Sequence, residues 1–343
     1  MRLTQLFVRR GAAASCALVL GLAVAAGPAA GADEKSYVMK MSTATLNDVQ
    51  HEWIKEFVAA VEKDSGGRIK GEIYPASQLG SIPRQIEGTQ FGSIQGWVGP
   101  PEFLAGIDPR FEIMSSPGLV TGMDHGRRVA ADPAIQSMML GLGADKGLHG
   151  VGLFASQPSA MIARTAIRHL ADFKGRKIRV LASQFQEELI SRFGGTPVAM
   201  TLGDVLPAIQ QGAIDGAVGA VPVFTTMQYY DAAKYITETG QPFIFSIVVT
   251  SKKWYDGLPP DLRKIIDDEG AKTGLAVGPW QLDFYAKQRK LWTEKGGELI
   301  ALPPDEQASM MKTLASVGGD LSKSKPALAE AYKTLVASVT RNK

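Results

Sequence analysis

Apolar and polar positions alternate with period two from Ser36 to Met41. From Gln50 to Lys63 the period changes to that of a helix, through Trp53, Phe57, Val58 and Val61, until Gly66-Gly67 stops the run. Arg68 to Tyr74 reads as a second strand ended by Pro75, Ile82 to Phe91 as a short helix, and Ile94 to Val98 as a third strand running into Gly99-Pro100-Pro101. This β-α-β-α-β order predicts a parallel sheet with helices on both faces, because parallel neighbours need a crossover and a helix supplies it. The pattern restarts near Gly150, with strands at Val151 to Phe154, Ala160 to Arg164, Lys177 to Leu181, Pro197 to Met200 and Ala213 to Val218. Helices are expected between them at Gln184 to Phe193 and Gly203 to Gln211. The restart predicts two similar α/β lobes. Phe243 to Thr250 reads as the last apolar strand, followed by helices at Pro260 to Asp268, Lys272 to Lys295, Pro304 to Ser316 and Ala327 to Thr340. The run from Lys272 carries Trp280, Phe284, Tyr285, Leu291 and Trp292 and is expected to brace both lobes.

The first residues follow another pattern. Arg2, Arg9 and Arg10 precede an apolar run from Gly11 to Ala26, then Pro28 and the small residues Ala30-Gly31-Ala32. This is the layout of a secretory signal cleaved after Ala32, with an apolar core shorter than the ~20 residues a membrane-spanning helix needs. The lone cysteine, Cys16, falls inside that core, so disulfides are not expected to stabilise the exported chain. Its stability must come from a conventional core, which roughly 310 residues at 45% hydrophobic composition can build. Removing three arginines with the signal also leaves 34 basic and 34 acidic side chains. With no basic patch interleaved with aromatics, nucleic acid is excluded as a partner.

Catalytic constellations are missing. His51-Glu52 begins like a metalloprotease helix, but Lys55 stands where the second histidine belongs. His125 and His149 sit in glycine-rich connections and His169 precedes a turn, which points to surface or capping roles. No serine has the glycine flanks of a nucleophile elbow, and the 141–147 segment GLGADKG has Lys146 where a nucleotide loop needs its third glycine. The acid pairs Glu187-Glu188 and Asp267-Asp268 read as solvated helix faces. We therefore expect no catalytic residues, no metal site and no cofactor.

Arg179 is the exception to this blandness. It places a guanidinium between Ile178 and Val180 in the short strand KIRV. A buried arginine is costly without an anionic partner, and its planar fork matches a carboxylate. The residues alone leave two readings open: an ion pair with an internal Asp or Glu, or a site for an external acid. Among the aromatics the core is the default place. Trp97, Phe224 and Phe243 stand at strand ends, where open α/β sheets bind their ligands.

Six segments carry a family resemblance: EKDSGGRIKGEIYPASQLG (62–80), IDPRF (107–111), LADFKGRKIRV (170–180), GGTPVAM (194–200), AIQQGAIDG (208–216) and SKKWYDGLPPDLRKII (251–266). In order and spacing they resemble the substrate-binding proteins of tripartite ATP-independent periplasmic (TRAP) transporters, the dicarboxylate-binding-protein (DctP-like) family. The resemblance implies an α/β, two-lobed clamshell of the type II periplasmic-binding-protein kind, with hinge strands and a long C-terminal helix bracing both lobes. Residues 33–156 plus about 245–280 would form the first lobe, and 157–244 plus about 281–343 the second. It implies a periplasmic protein, not itself membrane-spanning, that works with small and large integral membrane subunits. It also implies that Arg179 holds the carboxylate of a small organic acid. Departures from the family pattern narrow the ligand. Ser159 stands where sialic-acid binders carry a second arginine, and Ala217-Val218-Gly219-Ala220 replaces the polar or metal-holding segment that relatives have after Asp-Gly. With Gly99-Pro100-Pro101 where some relatives offer an acid, the cleft is expected to keep one cationic anchor and little other charge. The expected ligand residues are Arg179, Trp97, Ser159, Gly219, Phe224 and Phe243, and the expected ligand is a monocarboxylate with an apolar or aromatic body. The competing readings are a periplasmic sensor presenting the acid to a signalling receptor, an enzyme on the same scaffold, and a binding protein of an ATP-driven importer.

Overall fold

A computed structural model describes residues 35–343. The expected export signal and Cys16 lie outside the described residues. β1 (Tyr37–Thr43) leads into α1 (Val49–Asp64), whose start is set by Asp48. Its Oδ1 accepts from the N–H groups of Gln50 and His51, donors that a helix start otherwise leaves open. β2 (Ile69–Tyr74), α2 (Ile82–Phe91) and β3 (Gly96–Gly99) complete the expected β-α-β-α-β run. Two 3-10 turns follow, Pro101–Leu104 and Pro109–Ser115, then α3 (Met123–Ala131), α4 (Pro133–Gly141) and the long strand β4 (Leu148–Pro158). The next segment runs β5 (Ala160–Ala163), β6 (Lys177–Val180), α5 (Gln184–Arg192), β7 (Thr196–Ala199), α6 (Leu202–Gln210), β8 (Gly216–Gly219), α7 (Val221–Thr226) and β9 (Tyr235–Thr237). After it come β10 (Phe243–Ser251), α8 (Lys252–Asp256), α9 (Pro260–Glu294), β11 (Glu298–Ile300), α10 (Pro304–Leu314), α11 (Val317–Ser324) and α12 (Pro326–Arg341).

The strands form two mixed sheets, ordered β2-β1-β3-β10-β4 and β11-β9-β5-β8-β6-β7. β1 pairs in parallel with β2 and β3, and β6 with β7 and β8, as helical crossovers require. The backbone passes between the sheets three times: from β4 to β5 through Ser159, from β9 back to β10, and along α9 to β11. These passages give the clamshell its hinge strands and its brace. α9 packs on α1 and β4 of the first sheet's side, and on α7 and β11 of the second's.

The apolar periodicity is cashed in three clusters. One joins α1, β4 and α9 around Trp53, whose ring stacks on Phe57 at 4.7 Å and on Phe154 at 6.0 Å. A second lies around Phe224, Tyr229 and Trp292 beside the second sheet. The largest contains Trp97 and Phe111 from one side and Phe173 and Phe185 from the other, so the two sheets share a core. Each such aromatic removes 150–250 Å² from water, worth several kcal/mol at about 25 cal/mol per Å².

One expectation needs correction. α9 is one helix of 35 residues, not two, and it passes through Pro279. Gly270, which sits in the gap between the two expected helices, packs directly on β4: a Cβ there would lie 2.6 Å from the Val151 carbonyl oxygen. α12 returns to α3 and α4, where His125 Nε2 contacts the Val339 carbonyl at 3.0 Å and Asp132 accepts from Ser338 and Asn342, both at 2.8 Å. His125 is therefore buried, and of the surface or capping roles expected of it the structure fits the second, its ring meeting a carbonyl in the last turn of α12.

Candidate ligand-binding site

Arg179 is the third residue of β6, between Ala217 of β8 and Val198 of β7. A strand in mid-sheet has its backbone groups paired on both sides, and the side chain there is 3% exposed. Its charge is met by dipoles rather than by a carboxylate. Nε donates to the Met200 carbonyl and Nη1 to the Val218 carbonyl, both at 2.9 Å, and Nη2 makes no hydrogen bond among the described residues. Burial pushes the guanidinium down to about 10, with Tyr229 and Glu102 pulling it back up, so it stays charged at neutral pH.

The guanidinium borders a cavity of about 50 Å³ between the two sheets. The first sheet's side supplies Thr45, Gln50, Ile82, Trp97 and Phe103. The passing strands bring Gln157 and Ile244, and the second side adds Leu181, Leu202, Gly219 and Val223 to Arg179. Apart from Arg179 the walls carry no ionisable side chain among the described residues. Gln50 is held in place by Thr43, whose hydroxyl donates to its Oε1 at 2.9 Å.

Of the six residues singled out in the sequence, Arg179, Trp97 and Gly219 meet at this cavity. The other three do not line it. Phe224 lies behind Gly219, its ring 2.7 Å from where a Cβ of residue 219 would be, and it packs on Tyr229 at 5.4 Å. Phe243 faces the helical layer, with its ring against Gly126 of α3 and Phe245. Ser159 is buried at the passage from β4 to β5, where its carbonyl accepts from Gly240 at 2.9 Å and ties two hinge segments together.

Further ionisable groups lie behind the walls rather than on them. Glu102, in the first 3-10 turn, is buried and accepts from Gln186 of α5 at 3.0 Å across the gap between the two sides. Gln186 in turn accepts from the Leu181 N–H at 3.0 Å, two residues beyond Arg179. Burial pushes the Glu102 carboxyl up to about 7, against hydrogen bonds and the pull of Arg179; Glu112 adds to the rise. Glu112 is buried beside it and accepts from the Gln184 N–H at 3.0 Å. The one sequence signal for Glu102 was an acid set in the apolar run Pro100-Pro101-Glu102-Phe103-Leu104.

Comparison with known proteins decides the family. The model of the bacterial extracellular solute-binding proteins, family 7 (DctP), matches residues 41–323. The chain belongs to this family. As a DctP-family protein it is a TRAP-type substrate-binding protein and not an enzyme. Its relatives include the ectoine/5-hydroxyectoine-binding periplasmic protein UehA of Ruegeria pomeroyi, 27% identical over 299 residues, covering 86% of this chain and 87% of that protein. They also include the C4-dicarboxylate-binding periplasmic protein DctP of Rhodobacter capsulatus, 27% identical over 272 residues, with 78% and 80% covered. Among solved structures, a TRAP periplasmic solute-binding protein from Desulfovibrio salexigens with bound orotic acid superposes with a TM-score of 0.84 at 21% identity, covering 90% of this chain and all of that one. The DctP family is periplasmic and works with membrane transporter subunits. Among the described residues no helix is long and apolar enough to cross a membrane.

Proposed function

We propose that this DctP-family protein captures a small monocarboxylic acid with an apolar or aromatic body in the periplasm and delivers it to the small and large membrane subunits of a TRAP transporter. One observation carries the reading: a buried guanidinium faces a mostly apolar cavity with, among the described residues, no carboxylate in contact and one nitrogen left without a hydrogen bond. A ligand carboxylate supplies the missing acceptor and counter-charge, and Trp97, Ile82, Phe103 and Val223 supply apolar surface for the rest of the molecule. Arg179 fixes orientation while burial supplies affinity.

The cavity's size supports a closing mechanism. About 50 Å³ is far below the ~300 Å³ or more of typical ligand sites, so the walls must part for an acid to enter. The three passages between the sheets are where such a motion is absorbed, and a ligand touching both sides shifts the population toward the closed form. The membrane subunits then meet a shape that only the loaded protein holds.

A calorimetric or thermal-shift panel tests the ligand class. Branched and aromatic monocarboxylates are expected to bind, and Arg179→Ala to lose at least a hundredfold in affinity, about 3 kcal/mol, while keeping the wild-type circular dichroism spectrum. Tight binding of a sugar acid or dicarboxylate with monocarboxylates silent would sink the ligand class, and retained affinity in Arg179→Ala would sink the anchor.

A further inference from the structure

Several buried side-chain polar atoms have no hydrogen-bond partner among the described residues, and one of them belongs to a residue that lines the cavity: the indole nitrogen of Trp97. Trp97 is the second residue of β3, paired with Ser42 of β1 on one side and Val249 of β10 on the other, so its side chain stands off the sheet. The ring is 1% exposed and lies along the strand over Gly99, which shares its face. A Cβ at position 99 would lie 2.3 Å from Cζ2 and 3.1 Å from Cε2, so only glycine lets the ring lie this way. Nε1 is bonded to Cε2, and the nitrogen-bearing edge is therefore the one turned toward the strand's end, where Gly99, Pro100 and Phe103 border the cavity. Gln157, from the passing strand β4, is 5% exposed, lines the same cavity and makes no side-chain hydrogen bond among the described residues.

We propose that Trp97 is a specificity residue that reads a second, uncharged oxygen on the ligand, so that the acid this cleft takes is an oxo or hydroxy monocarboxylate rather than a plain hydrocarbon one. The proposal rests on the reading of Arg179 as the carboxylate anchor. An indole N–H is a donor only and has no tautomer or flip by which it could serve otherwise, so what completes it is an acceptor. Arg179 stands on the second sheet's side of the cavity and Trp97 on the first's, which places the two donors on opposite walls. One end of the ligand goes to each. The acceptor at Trp97 is neutral because the walls hold no second cation among the described residues. A plain acid would fill the cavity and leave the N–H buried and unpaired, whereas a carbonyl or hydroxyl oxygen restores the bond that the indole gives up on leaving water. The Gln157 amide, able to donate to a carbonyl or accept from a hydroxyl, serves either kind of oxygen.

The test uses the full exported chain and matched acids: 4-methylpentanoate and 4-phenylbutanoate, each beside its 2-oxo, 2-hydroxy and 3-hydroxy derivatives. Calorimetry should show at least one derivative in each series binding the wild type about tenfold or more tightly than its parent. Trp97→Phe keeps a ring and removes the N–H. It should bind the parents no less tightly and lose the preference for the derivatives. Trp53, whose indole nitrogen is likewise buried without a partner but whose ring lies in the α1, β4 and α9 cluster, supplies the control: Trp53→Phe should keep the preference. Parents binding as tightly as every derivative, or a preference that survives Trp97→Phe, overturns the role of Trp97. An equal loss for parents and derivatives in Trp97→Phe means that the carboxylate itself takes the indole N–H, and overturns it too. Binding retained by Arg179→Ala, or silence of every probe, overturns the anchor reading and this inference with it. An arm on the wild type does not depend on the variant folding. The Trp97 indole N–H resonance, assigned through contacts to its ring neighbours, should move downfield with a preferred derivative and not with its parent, and a signal unmoved by both overturns the inference.

Discussion

A guanidinium persists in the middle of a sheet at residue 179 because two strand-end carbonyls, Met200 and Val218, receive its protons. Its neighbour Glu102 makes the opposite demand, since burial favours its neutral form. The consequence for stability has a definite sign. The folded state holds the Glu102 proton up to about pH 7, whereas an unfolded glutamate releases it near 4.5, so the folded state binds more protons between these values. Stability from this group therefore declines as pH rises from about 4.5 to 7 and stays low above. Glu102→Gln removes the penalty. In urea titrations it should match the wild type near pH 5 and exceed it near pH 8 by up to about 3 kcal/mol, at 1.36 kcal/mol per pKa unit. An unchanged difference between the two pH values would show that Glu102 titrates normally. Arg179 stood out in the sequence because its oddity is local, a charge between two branched apolar residues. Glu102 did not, because what makes it unusual is a partner 84 residues away.

At the scale of elements, the clearest periods gave the right types. α1 and α2 fall close to where apolar spacing and glycine stops place them, while β9 and β11, three residues each, are too short to show a period and exist because they pair with each other. α9 exceeded the sequence reading because Gly270 is a packing residue rather than a stop. Gly270 and Gly274 separate these roles experimentally. A Cβ at 270 would lie 2.3 Å from Val151 Cγ1 and 2.6 Å from its carbonyl oxygen, whereas at 274 the nearest atoms are 3.8 Å away. Gly274→Ala should stabilise by up to about 1 kcal/mol through helix propensity. Gly270→Ala should destabilise by about 1–3 kcal/mol as α9 is pushed off β4. Equal effects of the two substitutions in chemical denaturation would contradict this packing.

The whole molecule joins two sheets through three chain passages and one apolar cluster that draws on both sides. α12 adds a tie: the buried Asp132 accepts from Ser338, Arg341 and Asn342 at its far end. A shared core predicts that the sheets unfold together. Far-UV circular dichroism and tryptophan fluorescence should give coincident thermal transitions, and a bound acid should shift both equally. Two separated transitions would mean that the sheets are independent folding units.

By itself the sequence determined the order and type of most elements, the DctP-family membership and the singular position of Arg179. Each is written in residues that are neighbours along the chain, as periodicity, as ordered segments, or as a charge in an apolar strand. Tertiary structure alone decided which side chains share the cavity. Trp97 and Gly219 face it, Phe224 and Phe243 turn into the core, Ser159 joins the hinge, and Glu102 comes to rest near Arg179. Those outcomes depend on how remote segments approach one another, and an apolar strand-end residue has the same local pattern whether it meets a ligand or a helix.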